Sequence, residues 1–222
     1  MADVNWLHAE LNGRFSQWIQ RSEIAFGELT LDVQPECLRN ICFALRDESE
    51  FAFNMLIDVC GVDYLHYGLS EWETQQATAT GFERGVDSQA MDHPQLTQPR
   101  FAAVYHLLSL NHNHRIRIRV LLEEKNLHVP TVVDIWPAAN WFEREAFDLF
   151  GIIFVDHPDL RRILTDYGFA GHPFRKDFPL SGNVEVRYDA TLQRVIYEPV
   201  SIVPRILEPK VIRHDNRYKV GE

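Results

Sequence analysis

With 222 residues, a net charge of -10, a pI near 5.4 and 45% hydrophobic against 24% charged residues, the chain has the composition of a globular protein with enough apolar material for a real core. Its acidity argues against nucleic acid or an anionic membrane surface as main partner, since both would repel most of the molecule. No apolar run approaches the roughly eighteen residues needed to cross a bilayer, and the opening MADVNWLHAE lacks the basic and apolar regions of a secretion signal, so a cytoplasmic location is expected.

Residues 4–19 read as a helix, because Val4, Leu7, Leu11, Phe15 and Trp18 recur at three and four. Leu29 and Leu31 then alternate with Thr30 and Asp32 as a short strand. Pro35 opens a second helix whose Leu38, Ile41, Cys42 and Leu45 face inward. Phe53, Met55, Ile57 and Val59 predict a largely buried strand. Cys37, Cys42 and Cys60 form no close pair, which speaks against both a disulfide framework and an iron-sulfur site and for three buried, inert thiols.

From Tyr67 to Pro99 no period can be counted, and a long surface loop or insertion is expected. Strand signals return at Phe101 to Leu108. Arg115, Arg117 and Arg119 then alternate with Ile116, Ile118 and Val120, and Asn111, His112 and Asn113 between the two runs predict an antiparallel hairpin. The arginine row has the pattern of a half-solvated sheet face, with partner contact as the alternative.

The densest stretch is Trp141 to Phe178. It opens as a helix, with Asn140 and Glu143 placed as a variant capping box or, alternatively, Pro137 in the first turn. Phe142, Ala146, Leu149 and Phe150 fall on one face, Arg144 and Asp148 are spaced for an ion pair, and Gly151 is placed as a left-handed C-cap. Beyond it lies a long, charged segment without period, of the kind that is functional or held by a partner. Val184, Val186 and Tyr188 with Val195 and Tyr197 predict a second small hairpin. Pro199, Pro204 and Pro209 keep the last segment extended, and its apolar Val200, Ile202, Val203, Ile206 and Leu207 need a surface to cover. That arm is basic, carrying Arg205, Lys210, Arg213, Arg217 and Lys219, on an acidic body.

Within the dense stretch, Glu143-Arg144-Glu145, Asp148-Leu149-Phe150-Gly151, His157-Pro158-Asp159-Leu160-Arg161-Arg162, Gly171-His172-Pro173 and Arg175-Lys176-Asp177-Phe178 follow one another in order. This run resembles the signature of the thirty-kilodalton subunit family of respiratory complex I, whose bacterial members are the C subunit of NADH:quinone oxidoreductase. Fainter similarity covers residues 30–65 and 100–200. The resemblance implies a non-catalytic subunit of the hydrophilic arm, on the cytoplasmic side of the bacterial inner membrane. Its partners would be chiefly subunits D and B, and the FMN and iron-sulfur centres would lie in other subunits. An equivalent subunit of a membrane-bound hydrogenase or another quinone oxidoreductase is the alternative within the family.

The chain's own inventory gives a stand-alone metal-dependent hydrolase little support. His157, Asp159, His172, Asp177, Glu143 and Glu145 supply suitable residue types but no spacing of a known metal-binding helix pattern, and no Gly-rich phosphate loop or nucleophile elbow occurs. No catalytic, cofactor-binding or metal residue is therefore assigned. The signature residues are expected to act at an interface: Glu143, Arg144, Glu145, Asp148, Gly151, His157, Pro158, Asp159, Arg161, Arg162, His172, Pro173, Arg175, Lys176, Asp177 and Phe178. The fold expected is α+β. Residues 1–150 form a mostly antiparallel sheet of about four strands with helices on one face, interrupted at 67–99. Residues 151–198 carry the signature loop and small hairpin, and residues 199–222 a long extended arm.

Overall fold

The computed structural model describes residues 4–65, 67, 73–74, 99–202 and 212–213. The chain divides into two compact units, Met1–Tyr64 with Gln98–Phe178, and Leu65–Thr97 with Pro179–Glu222. In chain order the elements are α1 (Val4–Phe15), β1 (Ile19–Ala25), β2 (Glu28–Val33), a single 3-10 turn (Pro35–Cys37), α2 (Leu38–Asp47), β3 (Met55–Asp63), β4 (Glu73–Thr74), β5 (Phe101–Ser109), β6 (His114–Leu122), β7 (His128–Pro130), α3 (Ala139–Phe150), β8 (Ile153–Val155), β9 (Val184–Asp189), β10 (Arg194–Pro199) and β11 (Ile212–Arg213).

The first unit is an α+β layer around a five-stranded sheet of order β1-β2-β6-β5-β3. The sheet is mixed, not merely antiparallel: β2 and β6 run parallel, while the other three junctions are antiparallel. Alternation sends Leu29, Leu31, Ile116, Ile118, Tyr105 and Leu107 to one face. There they join Leu7 and Leu11 of α1, Leu38, Ile41 and Leu45 of α2, and Ala139 and Ala146 of α3 in a single core. The helices thus lie on one side, as expected.

Three local readings change. Helix α1 ends at Phe15, because the chain turns there (Trp18 N–H to Phe15 carbonyl, 2.8 Å) and the Trp18 ring stacks on Phe15 at 5.2 Å. The residues after the turn form the edge strand β1, whose mostly exposed side chains carry no alternating apolar signal. In β3 the register shifts between Leu56 and Asp58, so Leu56 and Val59 are buried while Met55 is exposed. A bulge of this kind moves side chains to the other face and defeats a strict period of two.

The outer face of the sheet is wired across strands. Arg119 forms a two-pronged bond to the nearly buried Asp32 (2.7 and 2.8 Å). Arg117 reaches Glu28, Thr30 and His106. The arginine row is therefore satisfied within its own sheet, with only Arg115 standing exposed. Of the three thiols Cys42 alone is fully buried; Cys37 and Cys60 are half-buried, and all are free.

In the second unit β9 and β10 pair antiparallel, with Val186 opposite Tyr197 and Tyr188 opposite Val195, and β4 pairs with β11 in parallel. The expected insertion at 67–99 and the expected arm at 199–222 lie largely outside the described residues.

One close approach fixes α3 on the sheet. A Cβ added at Gly61 of β3 would sit 2.7 Å from Cγ of Phe150, so strand and ring meet only because residue 61 has no side chain. Gly61→Ala is expected to destabilise the chain by about 1 to 3 kcal/mol through overpacking, and Phe150→Leu to restore part of the loss. Urea melts of both single variants and the double variant check this; an additive double variant contradicts the contact.

Candidate functional site

Helix α3 begins at Ala139 with Ala138 as N-cap and no side-chain cap, directly after Pro137. The capping box expected from Asn140 does not form, because Glu143 is turned inward. Its carboxylate is fully buried and accepts the Thr131 hydroxyl (2.5 Å) and the Val132 N–H (2.8 Å), tying the helix to the segment that leaves β7. Burial pushes Glu143 up from 4.5 to about 7, a rise that these two bonds only partly offset.

At the other end the helix leaves its last carbonyls without intrahelical partners. Gly151, at φ 79°, bonds back to the Phe147 carbonyl. His172 Nδ1 donates to the Asp148 carbonyl (2.9 Å), the Phe174 N–H to Leu149 (3.2 Å) and Arg175 Nε to Phe150 (2.7 Å). The loop of residues 151–178 is therefore the cap of α3. A Cβ at Gly151 would lie 2.7 Å from His172 Nε2, so both the left-handed conformation and the approach of His172 require glycine.

Asp148 holds the middle of the same loop. Its fully buried Oδ2 accepts the N–H groups of Ile163 (3.0 Å), Leu164 (2.7 Å) and Thr165 (2.9 Å), and its Oδ1 accepts the Thr165 hydroxyl (2.6 Å). Burial alone would raise this carboxyl, but the bonds from Thr165, Leu164 and Ile163 outweigh it and hold it below its ordinary value. Arg162 approaches at 3.4 Å. The ion pair expected between Arg144 and Asp148 is not made, because Arg144 donates to the carbonyls of Arg161 and Arg162 instead.

The end of the loop is anchored by two residues that the sequence reading did not single out. Buried Asp63 receives Arg100 through two 3.0 Å bonds and the Lys176 N–H at 2.9 Å, and Arg100 also meets Asp177 at 2.9 Å and Glu124 at 2.6 Å. Both Arg100 and Arg175 lie over the Phe101 ring, at 4.7 and 5.0 Å. Phe178 packs where a Cβ on Gly171 would stand. Asp63, at the end of β3, and Arg100, just before β5, are 37 positions apart, and no local spacing signals them.

Other signature groups are bonded as well. His157 Nε2 meets the Asn140 carbonyl at 3.1 Å and its Nδ1 accepts the Asp159 N–H at 3.0 Å, Arg161 pairs with Asp159, and Pro158 shapes the turn between them. His172 is lowered by burial and by the charges of Arg175 and Arg162, so it is neutral where it caps the helix. The signature histidines and aspartates do not gather around a common point among the described residues. Outward the loop presents charged Asp156, Asp166 and Lys176 together with apolar Leu164, 62% exposed, Tyr167, 102%, and Phe174, 58%, while Trp141 of α3 is 67% exposed. Glu145 is exposed on the same helix as Trp141. Exposed aromatic and aliphatic side chains on a loop held by so many bonds are suited to contact with a protein.

Two outcomes follow from the buried carboxylates. Because the folded pKa of Glu143 lies above its ordinary value, its contribution is fully present below pH 4.5 and is lost as pH rises through about 7, roughly 3 kcal/mol in all. Glu143→Gln should flatten this part of the stability profile between pH 5 and 8, measured by urea melts; an unchanged slope speaks against the buried charge. Asp148→Ala should leave three amides without an acceptor, at a cost on the order of 2 to 4 kcal/mol. Hydrogen exchange at Ile163, Leu164 and Thr165 should accelerate, whereas retained protection would mean that the loop holds itself.

The chain is similar to several known proteins. The model of the family described as "Respiratory-chain NADH dehydrogenase, 30 Kd subunit" matches residues 70–184, a range that takes in both the signature and the segment read as an insertion. A protein of Legionella pneumophila (strain Lens), named as the C subunit of NADH-quinone oxidoreductase, is 61% identical over 218 residues, covering 98% of this chain and 96% of its own. Among solved structures, a trypsin-resistant fragment of Nqo5 matches with a TM-score of 0.51 at 29% identity, covering 71% of this chain and all of the fragment. A chain of an archaeal membrane-bound sulfane sulfur reductase shares the fold, with a TM-score of 0.56 at 18% identity over 79% of this chain and 85% of its own. With a family match over residues 70–184 and a relative this similar along nearly its whole length, the chain belongs to the 30-kilodalton subunit family of the respiratory-chain NADH dehydrogenase.

Proposed function

We propose that the chain is a non-catalytic subunit of the hydrophilic arm of a proton-translocating NADH:quinone oxidoreductase, holding neighbouring subunits in register while electrons pass from NADH to quinone. The observation that carries this reading is the signature loop. Many of its polar groups are engaged in capping α3 and in bonds to Asp148 and Asp63, while Leu164, Tyr167 and Phe174 stand exposed. A loop held in one geometry by so many bonds is suited to docking a partner. The FMN and iron-sulfur groups of the reaction then belong to partner subunits, among which subunits D and B are the proposed neighbours. The name shared by the bacterial relatives favours NADH as donor over the hydrogenase-type alternative.

The second unit supplies another docking surface. One face of the β9–β10 hairpin is formed by Val184, Val186, Tyr188, Val195 and Tyr197, each more than half exposed. The apolar, proline-spaced arm of residues 199–222 continues from it in sequence, and we place it along the surface of the D subunit, where contact would offset the entropy of ordering it. Among the described residues no helix is long and apolar enough to cross a membrane. A peripheral position on the cytoplasmic side of the inner membrane, reached through partner subunits, fits that observation.

The test is a paired measurement on a chain truncated after Glu198. Thermal melting of the truncated chain alone is expected to match the full chain, and copurification with the respiratory complex from membranes is expected to be lost. A truncated chain that still copurifies, or one that melts early, removes the arm from the subunit interface.

A further inference from the structure

We propose that Asp58, Cys60 and His106 form a binding site for a divalent transition cation of the zinc class on the outer face of the sheet. Asp58 and Cys60 are two apart on β3 and so project to the same side, and His106 on β5 is the register partner of Asp58. The carboxylate oxygen, the sulfur and a ring nitrogen all lie within 4.8 Å of one another, and all three residues are half-buried. A tetrahedral ion with bonds of about 2.0 to 2.3 Å needs its donors closer by roughly 1 Å, a change within reach of side-chain torsions. Mixed sulfur, nitrogen and oxygen donors select zinc or cobalt over magnesium and calcium, which take oxygen ligands. Three protein donors leave a fourth position for water, as in sites that exchange a ligand.

The surroundings balance the ion's charge. Asp58, Glu28 and a Cys60 thiolate set against Arg117 leave two net negative charges, the complement of a divalent cation. A cleft of about 110 Å³ lined by Glu28, Ile57, His106, Arg115 and Arg117 reaches His106 from solvent. Arg117 is the competitor: its Nε–H donates to His106 Nε2 at 3.1 Å and must withdraw whichever ring nitrogen binds the ion, while its bonds to Glu28 and Thr30 keep it ordered. Burial and the Arg117 charge keep His106 low in pKa, hence neutral and ready to ligate. Burial, followed by the charge of Asp58, pushes the Cys60 thiol up to about 11. Binding therefore breaks the S–H bond, forms a metal–sulfur bond and delivers the proton to solvent. The site lies apart from the signature loop and does not rest on the proposed place of the chain in a complex. An ion there would pin the edge strand β3 to its neighbour.

The experiment is a titration of the full chain, stripped with chelator, with cobalt(II) chloride and separately with zinc chloride at pH 8. One equivalent of cobalt should bind with a near-ultraviolet thiolate-to-metal absorption band, and close to one proton should be released per ion. Cys60→Ser should abolish the band, His106→Ala should weaken binding by about tenfold or more, Arg117→Gln should strengthen it, and Cys37→Ser should change nothing. Zinc should raise the melting temperature of the wild type but not of Cys60→Ser. Should that variant fail to fold in chelator, Asp58→Asn and the proton count of the wild type decide the matter. Absence of saturable binding, a band that survives Cys60→Ser, or one lost in Cys37→Ser overturns the proposal.

Discussion

A single buried carboxylate determines the shape of the segment that distinguishes this chain. Asp148 lies in the last turn of α3, where an ionised group would be strongly disfavoured if it stood alone. Three consecutive backbone N–H groups and a hydroxyl converge on it, so the cost of burial is met by charge-assisted bonds and the loop has one geometry in which all of them form. The carbonyls of Asp148, Leu149 and Phe150 impose the same demand from the helix end. Because His172, Phe174 and Arg175 answer it, residues far apart in the loop are fixed to one turn of helix. The irregular backbone is therefore specified as tightly as a strand in a sheet.

The sheet supplies the platform on which this happens. The antiparallel pairing of β3 with β5 sets Asp63 opposite Phe101, which brings Asp63 at the end of β3 beside Arg100 at the entry to β5. Arg100 then reaches both Asp63 and Asp177 and fastens the end of the loop to the sheet. A buried pair of this kind adds less to stability than its short distances imply, since two charges have lost their hydration. Its contribution is to geometry: it fixes where residues 175–178 can lie.

How much of this was legible in the sequence differs from one element to the next. The core faces of α2 and β6 were readable because apolar residues recur at the period of the element, and Gly151 was readable because few other residues adopt a left-handed cap. Edge strand β1 was not, because an exposed strand needs no apolar alternation. The spacing of Arg144 and Asp148 suggested an ion pair worth about 0.2 to 0.5 kcal/mol, and the structure replaces it with bonds to backbone N–H groups that any residue could provide. Side-chain identity at 163 and 164 could not announce that contact. The roles of Glu143 and Asp63 were hidden for a related reason: their partners lie on other elements, and only the folded arrangement brings them together.

The bare face of the β9–β10 hairpin has a consequence for the life of the chain before assembly. Among the described residues, the two strands expose Val184, Val186, Tyr188, Val195 and Tyr197 on an apolar ribbon, the kind of surface that pairs with further copies or is recognised by chaperones and proteases. A subunit made in excess of its neighbours is thus marked as surplus by its own surface. The same side chains that suit a lasting interface impose a limit on how long the chain can safely remain an orphan, and so couple its abundance to that of whatever covers it.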